Sequence, residues 1–170
     1  RPQHIIGTGF KAWIATALAA TADHDESVVN LNTAFMSGGL AVRFADGCKL
    51  DRPLHIVLLS SSAEPKAATT RLIVDIGAAA EVTLIESHLT ANRQDNTVTQ
   101  LRIGDRAVVS HVKNTRVQAP SIHLGTWLVE IGAAAVYQPF QLTIGTGLAR
   151  HGLDVRLVGE EARFDLAATF

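Results

Sequence analysis

Cysteine, aromatic residues and long apolar runs are scarce in this sequence of 170 residues. The one cysteine, Cys48, excludes an internal disulfide framework and is typical of a reducing compartment. Hydrophobic residues make up 47% of the chain but aromatic residues only 5%, so small aliphatic side chains must fill the core. No apolar run reaches the roughly 20 residues that span a bilayer, and no basic segment leads into an apolar one as in a signal peptide. We therefore expect a cytoplasmic protein.

An excess of either charge is also missing. The 15 lysine and arginine residues are balanced by 16 aspartate and glutamate residues, which gives a net charge of -1 and a pI near 6.7. This balance argues against nucleic acid or an anionic membrane as a partner. At 18.1 kDa the chain has the size of one domain and can bury a substantial core.

Sequence motifs of catalytic and cofactor sites are missing as well. The chain has no P-loop, no CxxC pair, no HExxH motif and no GxSxG motif. Gly145-Thr146-Gly147 lacks the third glycine of a dinucleotide fingerprint, and a turn explains its glycines better. We therefore expect no catalytic residue, no cofactor-binding residue and no metal ligand in this chain.

What the sequence does contain is a four-fold repeat. Glycines recur 27, 28 and 27 residues apart, each followed three residues later by an alanine. The four pairs are Gly77 and Ala80, Gly104 and Ala107, Gly132 and Ala135, and Gly159 and Ala162. A fixed period in this range indicates a solenoid, whose units stack because none can bury its apolar face alone.

Apolar and polar residues alternate on both sides of each glycine. Val74 and Ile76 flank a polar residue before the first glycine, and Val82 and Leu84 do so after the first alanine. Similar alternation around the other glycines predicts that each unit is a strand, a glycine turn and a strand. We expect the glycine to supply a positive φ and the alanine to fit a crowded place inside the corner. Stacked units of this kind form an all-β fold, the parallel β-helix.

Residues 1–37 are predicted to form a helical lead-in and cap. After an irregular start over residues 1–8, helical spacing predicts an amphipathic helix over residues 10–18 and another over residues 28–35. Asp23 or Asp25 is expected to cap the second helix, and Gly38-Gly39 to end it. We expect this helix to lie across the first coil and close that end of the solenoid. The predicted apolar positions are Phe10, Trp13, Ile14, Ala17 and Leu18, then Val28, Leu31, Ala34 and Phe35.

Residues 38–170 are predicted to form the β-helix, without an internal domain boundary. Residues 40–44 alternate as a strand, Asp46-Gly47 makes a turn and residues 54–59 supply another strand, which together predict an irregular first coil. The polar segments 60–70 and 91–96 are predicted loops. The chain begins without methionine and stops on an apolar strand at Phe170. We therefore expect an internal part of a longer protein, with further coils beyond it.

Four side chains are candidates for chemistry, and a structural role explains each pattern better. Cys48 has no paired cysteine, and His111 occupies an apolar position, as a core histidine does. His123 and His151 lie 28 residues apart, as metal ligands on adjacent coils would. Counted back from the next glycine, however, their positions differ by one residue, which predicts side chains that face in opposite directions.

Stacked carboxylates, which glycosidic chemistry requires, are not predicted either. The outward positions at one phase of the repeat are Asp75, Arg102, Glu130 and Leu157. These residues mix charge signs and residue types, so they predict a solvated face.

Residues 71–88 (RLIVDIGAAAEVTLIESH) resemble the core of the SufB/SufD family, part of the SufBCD iron–sulfur cluster assembly complex. Residues 31–42 (LNTAFMSGGLAV), 54–57 (LHIV) and 153–162 (LDVRLVGEEA) resemble the same family. The similarity covers most of residues 28–166. The sequence LIESH at residues 84–88 resembles SufD more than its paralogue SufB.

The resemblance implies a right-handed parallel β-helix and a non-catalytic scaffold subunit. In the family, SufD pairs with SufB through their β-helices, and each recruits the ATPase SufC through a C-terminal helical segment. The family's functional cysteine and histidine lie C-terminal to the matched segments, so the resemblance carries over no site residue. The implied partners are SufB-like and SufC-like proteins, with a homodimer left open. The iron–sulfur cluster and ATP belong to the full complex.

Two alternatives come from other protein classes. A polysaccharide-acting β-helix enzyme would show stacked acidic or basic side chains on one outward face. A hexapeptide-repeat acyltransferase would show a six-residue period, which this sequence lacks.

Overall fold

The structure is a computed structural model that describes residues 8–21, 26–36 and 38–170. All strand pairings among these residues are parallel, which confirms the predicted parallel β-helix with short N-terminal helices. No described helix is long and apolar enough to cross a membrane. The elements are α1 Thr8–Ala19, α2 Ser27–Phe35, β1 Gly38–Phe44, β2 Leu54–Ile76, β3 Glu81–Ile103, β4 Val108–Val117, β5 Ile122–Ile131, β6 Val136–Gly145, β7 Leu148–Leu157, β8 Arg163–Phe164 and β9 Ala167–Thr169.

The coils form two facing walls. The front wall consists of the first halves of β2 and β3 followed by β4 and β6. The back wall consists of β1, the second halves of β2 and β3, then β5 and β7. Their inner faces meet, since Thr99 on the back wall donates a hydrogen bond to Glu86 on the front wall. Strands β2 and β3 are long because each follows one wall, turns a corner and continues along the other.

The two predicted loops are wrong, since residues 60–70 and 91–96 lie within β2 and β3. Pairing between the two strands covers both segments except for an irregularity between Ser61 and Lys66. Their polar composition indicated loops, but hydrogen bonds to the neighbouring coil hold the backbone extended. The predicted strands at residues 40–44 and 54–59 are confirmed.

The glycine turns stack along one edge of the solenoid. Gly104 N donates to Ile76 O at 2.8 Å, and Gly132 N donates to Ile103 O at 2.9 Å. The positive φ expected at the glycines instead lies two residues later, so that expectation is wrong. The residues with this conformation are Ala79 (54°), Arg106 (58°), Ala134 (52°) and Glu161 (59°).

Close approach between coils explains the glycines. A Cβ on Gly104 would lie 2.7 Å from Ala78 N, and one on Gly132 would lie 2.9 Å from Asp105 N. Because these neighbours are backbone atoms of the preceding turn, they cannot move aside as a flexible side chain would. Only glycine therefore fits, for its missing Cβ and not for its φ.

The apolar core lies directly behind the turns. Ala80, Ala107 and Ala135 are fully enclosed, as predicted for the crowded place after each glycine. Ile131 is also 0% exposed and packs in the same cluster. The core is completed by Phe44, Val74, Ile76, Val82, Leu84, Leu101, Ile103, Val109, Trp127, Val129 and Tyr137.

The last glycine turn contains one additional residue. Ile103 lies opposite Ile131, and Gly132 follows directly. In the next coil Ile131 lies opposite Leu157, and Val158 intervenes before Gly159. Val158 N makes the hydrogen bond to Ile131 O, at 2.9 Å. Positions in β7 counted back from Gly159 are therefore displaced by one residue.

Helix α1 confirms the first predicted helix and lies on the outer side of the back wall. The Trp13 ring lies 4.5 Å from the guanidinium carbon of Arg43 in β1. Gln100 Nε2 in β3 donates to Ala17 O at 2.6 Å. These contacts place α1 beside strands and not at the end of the solenoid.

Helix α2 also packs on the outer side of the back wall, where it had been expected to close the end of the solenoid. Asn32 is fully buried, and its Nδ2 donates to Thr70 O at 3.0 Å and Asn96 O at 2.9 Å. Asn96 Nδ2 donates in return to Val28 O at 2.9 Å. Amide-to-backbone hydrogen bonds therefore fix this helix across two coils.

The apolar face predicted for α2 is wrong. Leu31 is 42% exposed and Phe35 is 66% exposed, whereas Val29 is buried. The helix ends at Phe35, and Gly38-Gly39 begins β1. The predicted caps Asp23 and Asp25 lie outside the described residues.

Candidate functional site

The interior of the β-helix changes from apolar to polar with distance from the glycine turns. Alternate side chains of a strand point to the same face, and along β3 the inward series runs from Val82 and Leu84 to Glu86 and His88. We call the polar part the buried polar cluster. It consists of Glu86, His88, Thr90, Asp95, Thr99, Lys113, His123 and His151. Apart from the half-buried His151, these residues are at most 6% exposed.

Glu86 collects most hydrogen bonds of the cluster. Thr99 Oγ1 donates to its two carboxylate oxygens at 3.1 and 3.2 Å. His88 Nε2 contacts Oε1, His111 Nε2 lies 3.3 Å from Oε2, and Lys113 Nζ lies 3.7 Å from Oε1. Burial raises the pKa of Glu86, but Lys113 and the two histidines together hold this pKa well below its usual range. Glu86 is therefore a buried carboxylate anion.

Lys113 supplies the ammonium group of the cluster. Its pKa is lowered by burial, against the opposing effect of Glu86 and Asp95. The Nζ atom also lies 5.2 Å from the centre of the Trp127 ring. One lysine thus faces two buried carboxylates.

His88 is held as a neutral imidazole. Burial lowers its pKa, and this effect outweighs the attraction of Glu86. Because Nε2 bonds to the Glu86 carboxylate, it carries the proton, and Nδ1 keeps the lone pair. Nδ1 has no hydrogen-bond partner among the described residues.

Asp95 and His123 form a second buried pair. His123 Nδ1 lies 2.9 Å from Asp95 Oδ2, and Thr90 Oγ1 donates to Asp95 Oδ1 at 3.0 Å. Burial raises the pKa of Asp95, but the hydrogen bond and charge of His123 bring this pKa below its ordinary value. His123 Nε2 finds no partner in the described part of the chain.

The structure brings His123 and His151 together, so the prediction that they face in opposite directions is wrong. His151 lies opposite Gly125, two residues from His123, and the two imidazole ring centres are 5.3 Å apart. The count from the glycines failed because Val158 adds a residue before Gly159.

His151 presents a neutral ring to the cluster. Burial, assisted by Lys113 and the other histidines, lowers the pKa of His151 to about 3. Its Nε2 lies 3.0 Å from Thr143 Oγ1. A Cβ on Gly125 would lie 2.8 Å from His123 Nε2 and 3.3 Å from His151 Nδ1, so both nitrogens border the place that the missing side chain leaves.

Three members of the cluster have the geometry of a metal-ligand set. His88, Asp95 and His123 each offer one ligand atom, and these atoms lie within 4.8 Å of one another. Imidazole and carboxylate groups are common ligands of divalent transition metals. This differs from the expectation from the sequence, which was that the chain contains no metal ligand.

His111 and Cys48 both contact the interior of the solenoid. His111 is 2% exposed, with Nδ1 2.9 Å from the Tyr137 hydroxyl and Nε2 3.3 Å from Glu86. Both of its ring nitrogens therefore have partners, as in a satisfied core histidine. Cys48 is a free thiol that packs against the apolar core.

The outer face of the back wall carries an alternating ladder of charges. Arg43, Asp75, Arg102, Glu130 and Arg156 lie opposite one another on successive strands. The last position is Arg156 and not the predicted Leu157, again because of the additional residue before the last glycine. Ion pairs join Arg43 to Asp75 at 2.8 Å and Arg156 to Glu130 at 2.9 Å, and Arg102 also pairs with Asp75. The ladder does not present the stacked carboxylates of a polysaccharide-acting enzyme.

Four residues of the cluster were not predicted from the sequence, namely Glu86, His88, Asp95 and Lys113. A usable signal existed in β3, since the period of two that makes Val82 and Leu84 inward also makes Glu86 and His88 inward. Asp95 was hidden because its segment was taken for a loop. Lys113 follows His111 by two residues, so the same rule places it inside.

Comparisons with known proteins agree on one family. A sequence profile of the family described as "SUF system FeS cluster assembly, SufBD core domain" matches residues 58–170. A curated iron–sulfur cluster assembly SufBD family protein from Synechocystis sp. is 28% identical over an alignment of 167 residues, which covers 91% of this chain and 37% of the relative. The chain thus spans little more than a third of that relative's length. No solved structure matches the chain.

Proposed function

The chain belongs to the SufBD core-domain family of the SUF iron–sulfur cluster assembly system. On this basis we propose that it forms part of a SufD-like scaffold subunit. It supports cluster assembly together with a SufB-like protein and the SufC-like ATPase. The family match carries this proposal, because the matched residues 58–170 are the ones that build the stacked coils.

A non-catalytic role is supported by where the chain places its reactive groups. Glu86 and His123 are at most 1% exposed inside the solenoid, so a substrate of ordinary size cannot reach them. On the outer face, Asp75 is neutralised by Arg43 and Arg102. The regular apolar positions of the repeat pack between coils. We therefore propose that ATP and the assembling cluster bind to other parts of the complex.

The proposal of a SufD-like subunit, as opposed to a SufB-like one, rests on the sequence LIESH at residues 84–88. The single cysteine, Cys48, supports a reducing compartment, and we propose the cytoplasm.

Co-purification from the native host tests this proposal. The protein at its natural length should co-elute with a SufB-like and a SufC-like protein. Saturable micromolar ATP binding by this protein without its partners would overturn the scaffold role. So would a stoichiometric iron–sulfur cluster that forms on residues of this segment when iron and sulfide are added anaerobically.

A further inference from the structure

The buried polar cluster contains more ligand groups than its hydrogen bonds use. His88 Nδ1, His123 Nε2 and His151 Nδ1 have no partner among the described residues. His88 is 1% exposed and His123 is 0% exposed, so bulk water does not solvate these atoms. Leaving a buried polar atom without a partner is unfavourable, and native proteins rarely do so without a ligand, ion or ordered water.

The charges of the cluster also favour a cation. Two carboxylates, Glu86 and Asp95, face the single ammonium group of Lys113. The other titratable side chains around them are His88, His111, His123, His151 and Tyr137. Metal binding requires neutral imidazoles, and with these the two carboxylates exceed the one ammonium group, a costly excess that a bound cation compensates.

From this geometry we infer that His88, Asp95 and His123 bind a divalent first-row transition-metal ion inside the β-helix. Their nearest ligand atoms lie within 4.8 Å of one another. His123 Nδ1 and Asp95 Oδ2 are 2.9 Å apart, so an ion can replace the proton between them and bind both. His151 lies next to this set, with its ring centre 5.3 Å from that of His123, and offers a further imidazole for a fourth position.

The ligand types determine the class of metal. Two imidazoles and one carboxylate suit Zn²⁺ and its first-row neighbours. Ca²⁺ takes six to eight oxygen ligands, and Mg²⁺ retains most of its water, so neither matches a nitrogen-rich and enclosed set.

The surrounding contacts orient the ligands. Glu86 holds His88 through Nε2, which directs Nδ1 away from that carboxylate. Thr90 holds Asp95 through a hydrogen bond at 3.0 Å. Groups of this kind typically fix the tautomer and direction of metal-binding side chains.

Asp95 also provides a route for the ion. It lines a cavity of about 290 Å³ together with Leu58, Thr70 and Thr97. This cavity reaches the cluster from the side of the first coils, and the ligand nearest to it is an anion. An ion can therefore meet a carboxylate before it meets the histidines.

This inference is independent of the proposed assembly role, and metal titration tests it. The natural-length protein is stripped with a chelator and loaded with Zn²⁺ or Co²⁺. We expect one equivalent of the added ion to bind in a way that depends on His123 and Asp95, and bound Co²⁺ to show visible d–d absorption. His123→Gln and Asp95→Asn should each weaken Zn²⁺ binding by more than about 100-fold, because losing a ligand costs more than losing a group that only orients one. His55→Gln, which alters a surface histidine, is the matched control and should leave the affinity unchanged.

Two results of the titration would contradict the proposed metal site. Retention of the ion with unchanged affinity in a folded His123→Gln protein overturns the site, as does equal loss in the His55→Gln control. Should the buried variants fail to fold, X-ray absorption on the zinc-loaded wild-type protein decides. Imidazole nitrogen and carboxylate oxygen ligands support the site, whereas sulfur ligation or no bound zinc contradicts it. Loss of partner co-elution with intact metal binding would instead count against the scaffold proposal alone.

Discussion

His151 lies directly opposite Gly125 on the paired strands β7 and β5. Because Gly125 has no side chain, the ring of His151 and the ring of His123 approach the same place from two coils. A single glycine in the middle of a strand, and not at a turn, thus shapes the polar interior.

Gly125→Ala is expected to destabilise the protein by about 1–3 kcal/mol, as overpacking of a filled interior does. The new Cβ would lie 2.8 Å from His123 Nε2, in a ring that Asp95 holds through Nδ1, and 2.9 Å from Lys113 Nζ. Denaturant unfolding measures the loss. Gly38→Ala is the control, because a Cβ on this strand glycine meets nothing within 4 Å. Equal stabilities for the two variants would contradict the crowding described for Gly125.

The repeat allowed much of the fold to be predicted. Glycine spacing and alternation identified the turns, the parallel stacking and the core alanines, because these features follow from local geometry. The loops were wrong, since polar segments at 60–70 and 91–96 are held extended by neighbouring coils, a contact between residues distant in sequence. The placement of α2 was missed for the same reason, as the fully buried Asn32 interacts with strand backbone.

The polar interior was harder to predict. One additional residue, Val158, reversed the predicted direction of His151, and nothing in the local pattern marks it as additional. The inward direction of Glu86 follows from alternation alone. Its contacts with Thr99 and His111 depend on how the two walls face each other, which a single strand pattern does not contain.

Glu86 and Lys113 should behave as a coupled pair. Lys113→Met is expected to cost about 3–5 kcal/mol, because it leaves Glu86 buried without its ammonium counter-charge. Glu86→Gln should cost less, because Asp95 remains to attract Lys113. The double variant should lose less than the sum, with a coupling energy of about 0.5–3 kcal/mol. Denaturant unfolding of the four proteins closes the cycle. Strict additivity would show that the two charges do not compensate each other.

Tyr137 should make the protein less stable at alkaline pH. Burial raises its pKa well above 10, with a further contribution from Glu86, and His111 is its hydrogen-bond partner. Below pH about 10 the tyrosine stays protonated in both the folded and the unfolded chain, so it adds no pH dependence. Above that pH the unfolded chain loses this proton while the folded chain keeps it, so the free energy of unfolding falls.

The Tyr137→Phe variant isolates this contribution. Its free energy of unfolding should decline less steeply than that of the wild-type protein as pH rises above about 10. The comparison removes the effect of Lys113, whose lowered pKa acts in the opposite direction in both proteins. Parallel stability curves for the two proteins would contradict a raised pKa for Tyr137.

In the turn at Gly104, adding one glycine and removing another should change the stability in opposite directions. Arg106 is exposed and has a φ of 58°, so Arg106→Gly should relieve strain and stabilise the protein by up to about 1 kcal/mol. Gly104→Ala should destabilise it, because the added Cβ would lie 2.7 Å from Ala78 N. Thermal and denaturant unfolding compare both with the wild-type protein. A stabilising Gly104→Ala would mean that neighbouring turns are not as close as described.

Ile131 connects the turn to the core and tests the stacking of coils. It is 0% exposed, packs within the apolar cluster and lies opposite Ile103 on one side and Leu157 on the other. Ile131→Ala should therefore cost about 2–5 kcal/mol, through lost burial and the cavity that remains. Val112→Ala, at an outward position that is 36% exposed, serves as the control and should cost much less. Denaturant unfolding measures both variants, and a loss below about 1 kcal/mol for Ile131→Ala would count against an enclosed core between the two walls.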